Sequence, residues 1–173
     1  MESSEILLMP EARRSRAEEA VDSAVRWSFG FGLIPLPIVD LAAISTVQLR
    51  MLRSLCDVYG EPFSENQGKA LISALLGGIV PTKLAWGPIR SLLKAIPVVG
   101  PLAGAAAMPL FAAASTYAVG HTFIHHFESG GTLLDLDPAK LRDYVAKQYR
   151  EGRDSLLGGK PADTEPTPGP AGG

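Results

Sequence analysis

Val21, Ala24, Val25, Ser28 and Phe29 recur at i, i+3, i+4, i+7 and i+8, which is one face of an α-helix. Just ahead of them, Ser15 and Glu18 have the spacing of a capping box, in which each side chain satisfies a backbone N–H of the other. The pattern predicts a helix that opens at Ser15 and ends at Gly30 and Gly32. Pro35 and Pro37 follow, and a residue before proline avoids helical backbone. An extended entry to a second helix, Val39 to Tyr59, is expected, with Gly60 as its C′ residue. Ser64 with Gln67 predicts a further capping box, opening a third helix through Leu71, Ala74 and Leu75 to Gly77 and Gly78. A shorter helix is expected from Pro88 to Ala95, with proline in its first turn. The last helix is predicted from Asp137 as N-cap and Pro138 at N1. It would carry Leu141, Tyr144, Val145 and Gln148 on one face and end near Gly152. No alternating strand pattern occurs, so the fold class is all-α, a compact helical bundle.

Residues 95–120 carry no charge. As one helix they would span about 39 Å, enough for a bilayer core of about 30 Å. Pro97, Pro101 and Pro109 oppose a single straight rod, because an interior proline removes a hydrogen bond and clashes with the preceding turn. The expectation here is a broken apolar helix or a helical hairpin rich in Pro, Gly and Ala. Residues 158–173 hold nine Gly or Pro in sixteen positions, a composition expected to be disordered. The resulting division is a flexible N-terminus over 1–14, a helical domain over 15–153 and a disordered tail over 154–173.

Charge sharpens this picture. The chain has 173 residues, a net charge of −2, 46% hydrophobic and 20% charged residues, and a mean hydropathy of +0.15. The charges avoid the middle: residues 23–127 hold seven Lys/Arg and four Asp/Glu. Without a basic run, the electrostatic footprint of a nucleic-acid binder is missing, and no nucleic acid is expected as partner. Cys56 is the one cysteine, which excludes an internal disulfide and every multi-cysteine metal motif. It reads as a small buried apolar residue. The N-terminus is acidic, and Arg13, Arg14 and Arg16 interrupt any apolar core, unlike a signal peptide. A start in the cytoplasm is expected.

Four groups of residues carry chemical interest. Asp40 is the one carboxylate between Trp27 and Asp57. It reads as an N-cap of the second helix, against the alternative of a functional carboxylate in an apolar setting. Gln48, two turns on, reads as an interhelical hydrogen-bonding side chain. His121 and His125 share a helical face, with His126 alongside, and two imidazoles at i, i+4 can begin a metal site. Without a third ligand at a convincing spacing they read instead as residues at an apolar–polar border, so no metal or other cofactor is expected. Gly100 and Gly104, and later Ala112, Thr116 and Gly120, form small-xxx-small rows that permit close helix approach in a membrane or in a soluble bundle. Gly77-Gly78 and Gly130-Gly131 read as helix ends and a turn. No nucleophile arrangement is present: Ser115 lies in Ala-Ser-Thr-Tyr, not in Gly-x-Ser-x-Gly. Ser155-Leu156-Leu157 reads as the frayed end of the last helix, against the alternative of a short docking peptide.

The segment from Trp27 to Gly60, with Ile34-Pro35-Leu36-Pro37-Ile38-Val39-Asp40 and then Gln48, Met51 and Leu55, resembles the YcjF-like, GTPase-associated bacterial family of unknown function. The likeness continues at Ile96-Pro97-Val98-Val99-Gly100, at Ser115-Thr116-Tyr117-Ala118-Val119-Gly120 and at His126-Phe127-Glu128-Ser129-Gly130-Gly131-Thr132. It covers residues 24–150 or so, most of the chain. The resemblance implies a helical, membrane-associated domain with no assigned catalytic activity, whose relatives are fused to GTPase domains or encoded beside them. This chain has no phosphate loop: Gly68-Lys69 is followed by Ala70, and Phe63 stands where the first glycine belongs. Any GTPase partner must therefore act in trans.

Two functional expectations follow. In the first the protein is a non-enzymatic, membrane-associated scaffold or membrane-interaction module on the cytoplasmic side of the bacterial inner membrane. Membrane lipid and a GTPase in trans are its partners, and it self-associates. Lys83, Arg90 and Lys94 on one side of the uncharged run, and Lys140, Arg142 and Lys147 on the other, favour a re-entrant hairpin with both ends cytoplasmic. In the second the Ala/Gly-rich run is the central helix of a soluble bundle that serves as an adaptor for a GTPase. Ala and Gly are weakly lipophilic, and three prolines interrupt the run.

Overall fold

Pro10 opens the first helix, α1 (Pro10–Gly32), five residues before the expected start. Proline suits a first helical turn, since its missing N–H would have no partner there. Ser15 is thus an exposed interior residue, and Glu18 pairs with Arg14 at 3.0 Å, not with a cap. The computed structural model describes residues 9–32, 39–79 and 100–158, with side chains omitted at 32, 39–43, 78 and 100–108. Of the expected flexible N-terminus, residues 10–14 are helical and 1–8 lie outside these residues. Of the expected tail, 154–156 are helical and residues beyond 158 lie outside, as does the expected helix at 88–95.

Helix α2 (Val39–Tyr59) has the predicted bounds. It closes on Gly60 at φ +75°, while the Glu61 N–H reaches back to the Cys56 carbonyl at 2.8 Å, a Schellman end. Helix α3 (Glu65–Ile79) starts one residue after Ser64, as the spacing predicts. Gln67 does not complete a capping box, because its amide donates to the Leu133 carbonyl at 2.9 Å. The helix also runs through Gly77-Gly78 to Ile79 and does not stop at the glycines.

Helix α4 (Gly100–Glu128) corrects the expected break. From Gly100 onward the uncharged run is one continuous helix with no hairpin turn. Pro101 occupies the first turn, where no donor is needed, and Pro109 sits buried inside the helix. An interior proline costs about 3 kcal/mol. Here the helix is enclosed: Ala112 to Thr116, Ala118 to Gly120 and Thr122 to Ile124 are all buried, against α1, α2 and α5. A helix apolar all round belongs in a core.

Helix α5 (Arg142–Leu156) begins four residues after Pro138 and runs past Gly152. Asp137 caps a separate turn instead, accepting the Ala139 N–H at 3.0 Å. The shift has a local cause, since residues 133–136 need room to bury Leu133 and Leu136 before the helix can start. Among the described residues the five helices form an all-α compact bundle around α4.

Candidate functional site

The centre of the bundle is polar at one point. Thr116 on α4 is fully buried, and its Oγ1 lies 2.8 Å from Ser28 Oγ on α1. The Gln48 amide of α2 donates to the same oxygen at 3.3 Å. Three helices therefore meet through one hydroxyl. Gln48 thus makes an interhelical hydrogen bond, from α2 to Thr116 on α4. Gln48 Oε1 and Ser115 Oγ are buried without a hydrogen bond among the described residues.

This junction fixes the relative heights of the helices. The pairs Arg14–Glu128, Val21–Gly120 and Ser28–Thr116 show that α1 runs antiparallel to α4. The pairs Gln48–Thr116, Met51–Gly120 and Tyr59–Glu128 show that α2 runs parallel to it. Helix α5 is antiparallel again, with Tyr144 stacked on His125 and Gly152 against Tyr117. The close approach at Gly120 is tight: a Cβ there would lie 2.5 Å from Val21 Cγ2 and 3.1 Å from Met51 Sδ.

The two ends of the bundle differ in chemistry. At the end where α4 finishes, Glu128 accepts from Arg14 at 3.1 Å and from the Tyr59 hydroxyl at 3.2 Å. Burial, with the Glu128 charge adding, pushes the Tyr59 hydroxyl well above the usual range. His126 Nε2 is 2.9 Å from both the Thr132 carbonyl and Asp135 Oδ1. Both are acceptors, so Nε2 carries the proton. Asp135 Oδ1 also accepts the Thr132 N–H at 2.7 Å, and that bond leads in holding its carboxyl below the usual range. Gly131 has no room for a side chain, since a Cβ there would strike the His126 ring.

The opposite end, where α1 and α5 finish, exposes aromatic and aliphatic side chains beside the Arg153–Asp154 ion pair at 2.8 Å. Trp27 is 62% exposed and stacks on Phe31 at 5.9 Å, and Phe29 is 41% exposed. Leu156 and Leu157 are exposed at the end of α5. Trp27 and Phe31 line a groove of about 320 Å³ between α1 and α2, together with Ala20, Val47, Met51 and Arg50. No acidic residue lines it.

The histidines take separate roles. His121 lies against Tyr117 at 4.1 Å between ring centroids, and burial lowers its pKa from the ordinary 6.5. His125 is stacked on Tyr144 at 4.5 Å. Each imidazole thus packs on a tyrosine ring, and among the described residues no three His, Cys, Asp or Glu side chains group for a metal. Asp40 is the second residue of α2, while Gly100 and Gly104 lie in the first turns of α4. The surroundings of these three side-chain positions lie outside the described residues. Cys56 is buried, and desolvation pushes its thiol up to about 11. The Gly68-Lys69 pair is helical: Gly68 packs under Leu49 and Leu52, and Lys69 pairs with Glu65. That geometry has no phosphate cradle.

Of the Thr116 junction the sequence singles out Gln48 and Thr116 but not Ser28, and it does not single out the aromatic groove. Ser28 on the apolar stripe of α1 was the available signal for the junction. Trp27, next to Arg26 on the same helix, was the signal for the groove.

Among the described residues no helix is long and apolar enough to cross a membrane. The family model described as a domain of unknown function, DUF697, matches residues 3–154. The chain is 36% identical over 137 residues to Magnetosome membrane protein 22 of Magnetospirillum gryphiswaldense, covering 79% of this chain and 70% of that protein. No solved structure matches.

Proposed function

The chain belongs to the DUF697 family, and from that premise we propose that it is a membrane-associated helical module without chemistry of its own. Within the family we place it with the YcjF-like, GTPase-associated members, on the motifs quoted above. It acts as a scaffold on the cytoplasmic side of the bacterial inner membrane, self-associates, and works with a GTPase supplied by another chain.

The observation that carries this reading is the exposed aromatic pair at the end of α1, Trp27 and Phe29. Both stand away from the Arg14–Glu128 and His126–Asp135 pairs. Exposed leucines occur at both ends, Leu134 beside Asp135 and Leu156 and Leu157 after the Arg153–Asp154 pair. A soluble monomer rarely leaves such aromatic residues together without a surface to meet. The printed name of the magnetosome relative, a membrane protein, supports the same direction. The enclosure of residues 109–124 changes how the membrane is met. These residues are core, which supports peripheral contact over insertion of a hairpin of the 95–120 run.

Cell fractionation tests the reading. The protein is expected with the inner membrane at low salt and in the supernatant after alkaline carbonate. Complete recovery in the soluble fraction before any wash would overturn it.

The buried α4 favours a second reading, a soluble adaptor that binds a GTPase without touching lipid. A chain that stays monodisperse without detergent, ignores vesicles and retains a GTPase through purification would establish that alternative.

A further inference from the structure

We propose that the α1–α2 groove, with the aromatic end of α1, is a shallow docking surface for an anionic phospholipid bilayer. Arg26 and Arg50 would sit at the headgroups, with Trp27 and Phe31 at the acyl boundary. This rests on the membrane reading above and adds which face is used and which lipid charge it selects.

The argument starts from Thr116. Because Ser28 and Gln48 both bond to its Oγ1, those two residues share one height in the bundle. Helices α1 and α2 run in opposite directions, so Arg26 and Arg50 each lie two residues from that height, on the same side. At 1.5 Å rise per residue, both guanidinium-bearing positions stand about 3 Å toward the polar end. Trp27 is one residue from the junction, and Phe31, one turn on and on the same side of α1, lies beyond it toward the aromatic end. Exposed arginines level with one another, next to exposed aromatics, reproduce the order of an interface, with cations outside and amphipathic rings beneath.

Charge complementarity selects the lipid. Arg50 lines the groove, whose walls carry no carboxylate. On its other side it shares a pocket with Arg53, Lys69 and Glu65, where cations outnumber the one carboxylate. Neither Arg26 nor Arg50 makes an ion pair among the described residues. Guanidinium forks match phosphate oxygens in geometry as well as in sign. Between Trp27 and Gly32 there is no charged side chain at all, so nothing on this end of α1 opposes a bilayer.

The test uses full-length protein and vesicles of phosphatidylcholine alone or mixed with phosphatidylglycerol. The chain has two tryptophans, Trp27 and Trp86, so Trp86→Phe leaves Trp27 as the single reporter. The expected result is co-sedimentation with the anionic vesicles, a blue shift of Trp27 emission and quenching by brominated acyl chains. Arg26→Gln and Arg50→Gln should each weaken binding about fivefold, Arg50→Lys should restore most of it, and thermal midpoints should stay unchanged. If the vesicles bind while Trp27 emission does not move, or if both glutamine variants bind like wild type, this docking face is wrong and the membrane reading survives. Equal binding to neutral and anionic vesicles would overturn the headgroup selection. Failure of the wild-type chain to bind any vesicle would overturn both this inference and the reading it rests on.

Discussion

Thr116 Oγ1 and Ser28 Oγ stand 2.8 Å apart although 88 residues separate them in the chain. The Gln48 amide shares the same oxygen, so this contact ties α1, α2 and α4 into one register. A buried hydrogen bond contributes modestly when made, and a partner left unsatisfied costs about 1–3 kcal/mol.

Thr116→Val removes the shared oxygen at nearly constant volume. It should lower stability by about 1–3 kcal/mol in urea unfolding, because Gln48 Nε2 loses its acceptor inside the core. Adding Gln48→Leu to Thr116→Val should recover part of the loss. An unchanged unfolding midpoint for the single variant would show that the junction carries no stability.

Gly120→Ala tests the tightest helix approach. The new methyl would meet Val21 Cγ2 at 2.5 Å and Met51 Sδ at 3.1 Å. Overpacking of this kind costs about 1–3 kcal/mol. A lowered thermal midpoint is expected, with Val21→Ala compensating in the double variant. Additive losses in that cycle would contradict a direct clash.

His121 gives a pH dependence with a definite sign. Burial depresses its folded pKa below the ordinary 6.5, so the unfolded chain binds the proton more readily. Its stabilising share is complete above about pH 6.5 and is lost as pH falls toward the folded value. Asp135, also depressed but as a carboxylate, contributes above its ordinary 3.8 and loses that share only at lower pH. Urea midpoints should therefore fall in two separate steps on acidification. His121→Phe should abolish the upper step, and its persistence in that variant would reassign the effect.

Cys56 should be inert in the folded protein. Its thiol is fully buried and pushed up to about 11, so little thiolate exists at neutral pH. Reaction with a disulfide reagent should be slow in buffer and fast in denaturant. Equal rates in both would mean that the α2 core opens freely.

Much of the fold is legible locally. The α2 bounds and its Gly60 end follow from prolines, from a 3.6-residue period and from the left-handed backbone that glycine accepts. The fold class follows from the same periods. The start of α5 is not legible: Asp137 and Pro138 look like a helix opening, yet they serve a separate turn because Leu133 and Leu136 are buried first. Nor is the continuity of α4 through Pro109, since only enclosure by three neighbours offsets an interior proline. Gln67 offers the spacing of a cap and binds Leu133 instead, a choice made by a loop more than sixty residues away.

The sequence by itself determined an all-α chain with a charge-poor middle, a buried cysteine and a polar residue, Gln48, between helices. Backbone limits and hydrophobic period act within a turn or two, so each of these can be read from neighbours along the chain. Only the tertiary structure decided that Arg26 and Arg50 stand at one height beside Trp27, and that Gly120 seats Val21. Those relations depend on the register of separate helices, and register is set by side chains such as Ser28, Gln48 and Thr116 meeting far from one another in sequence.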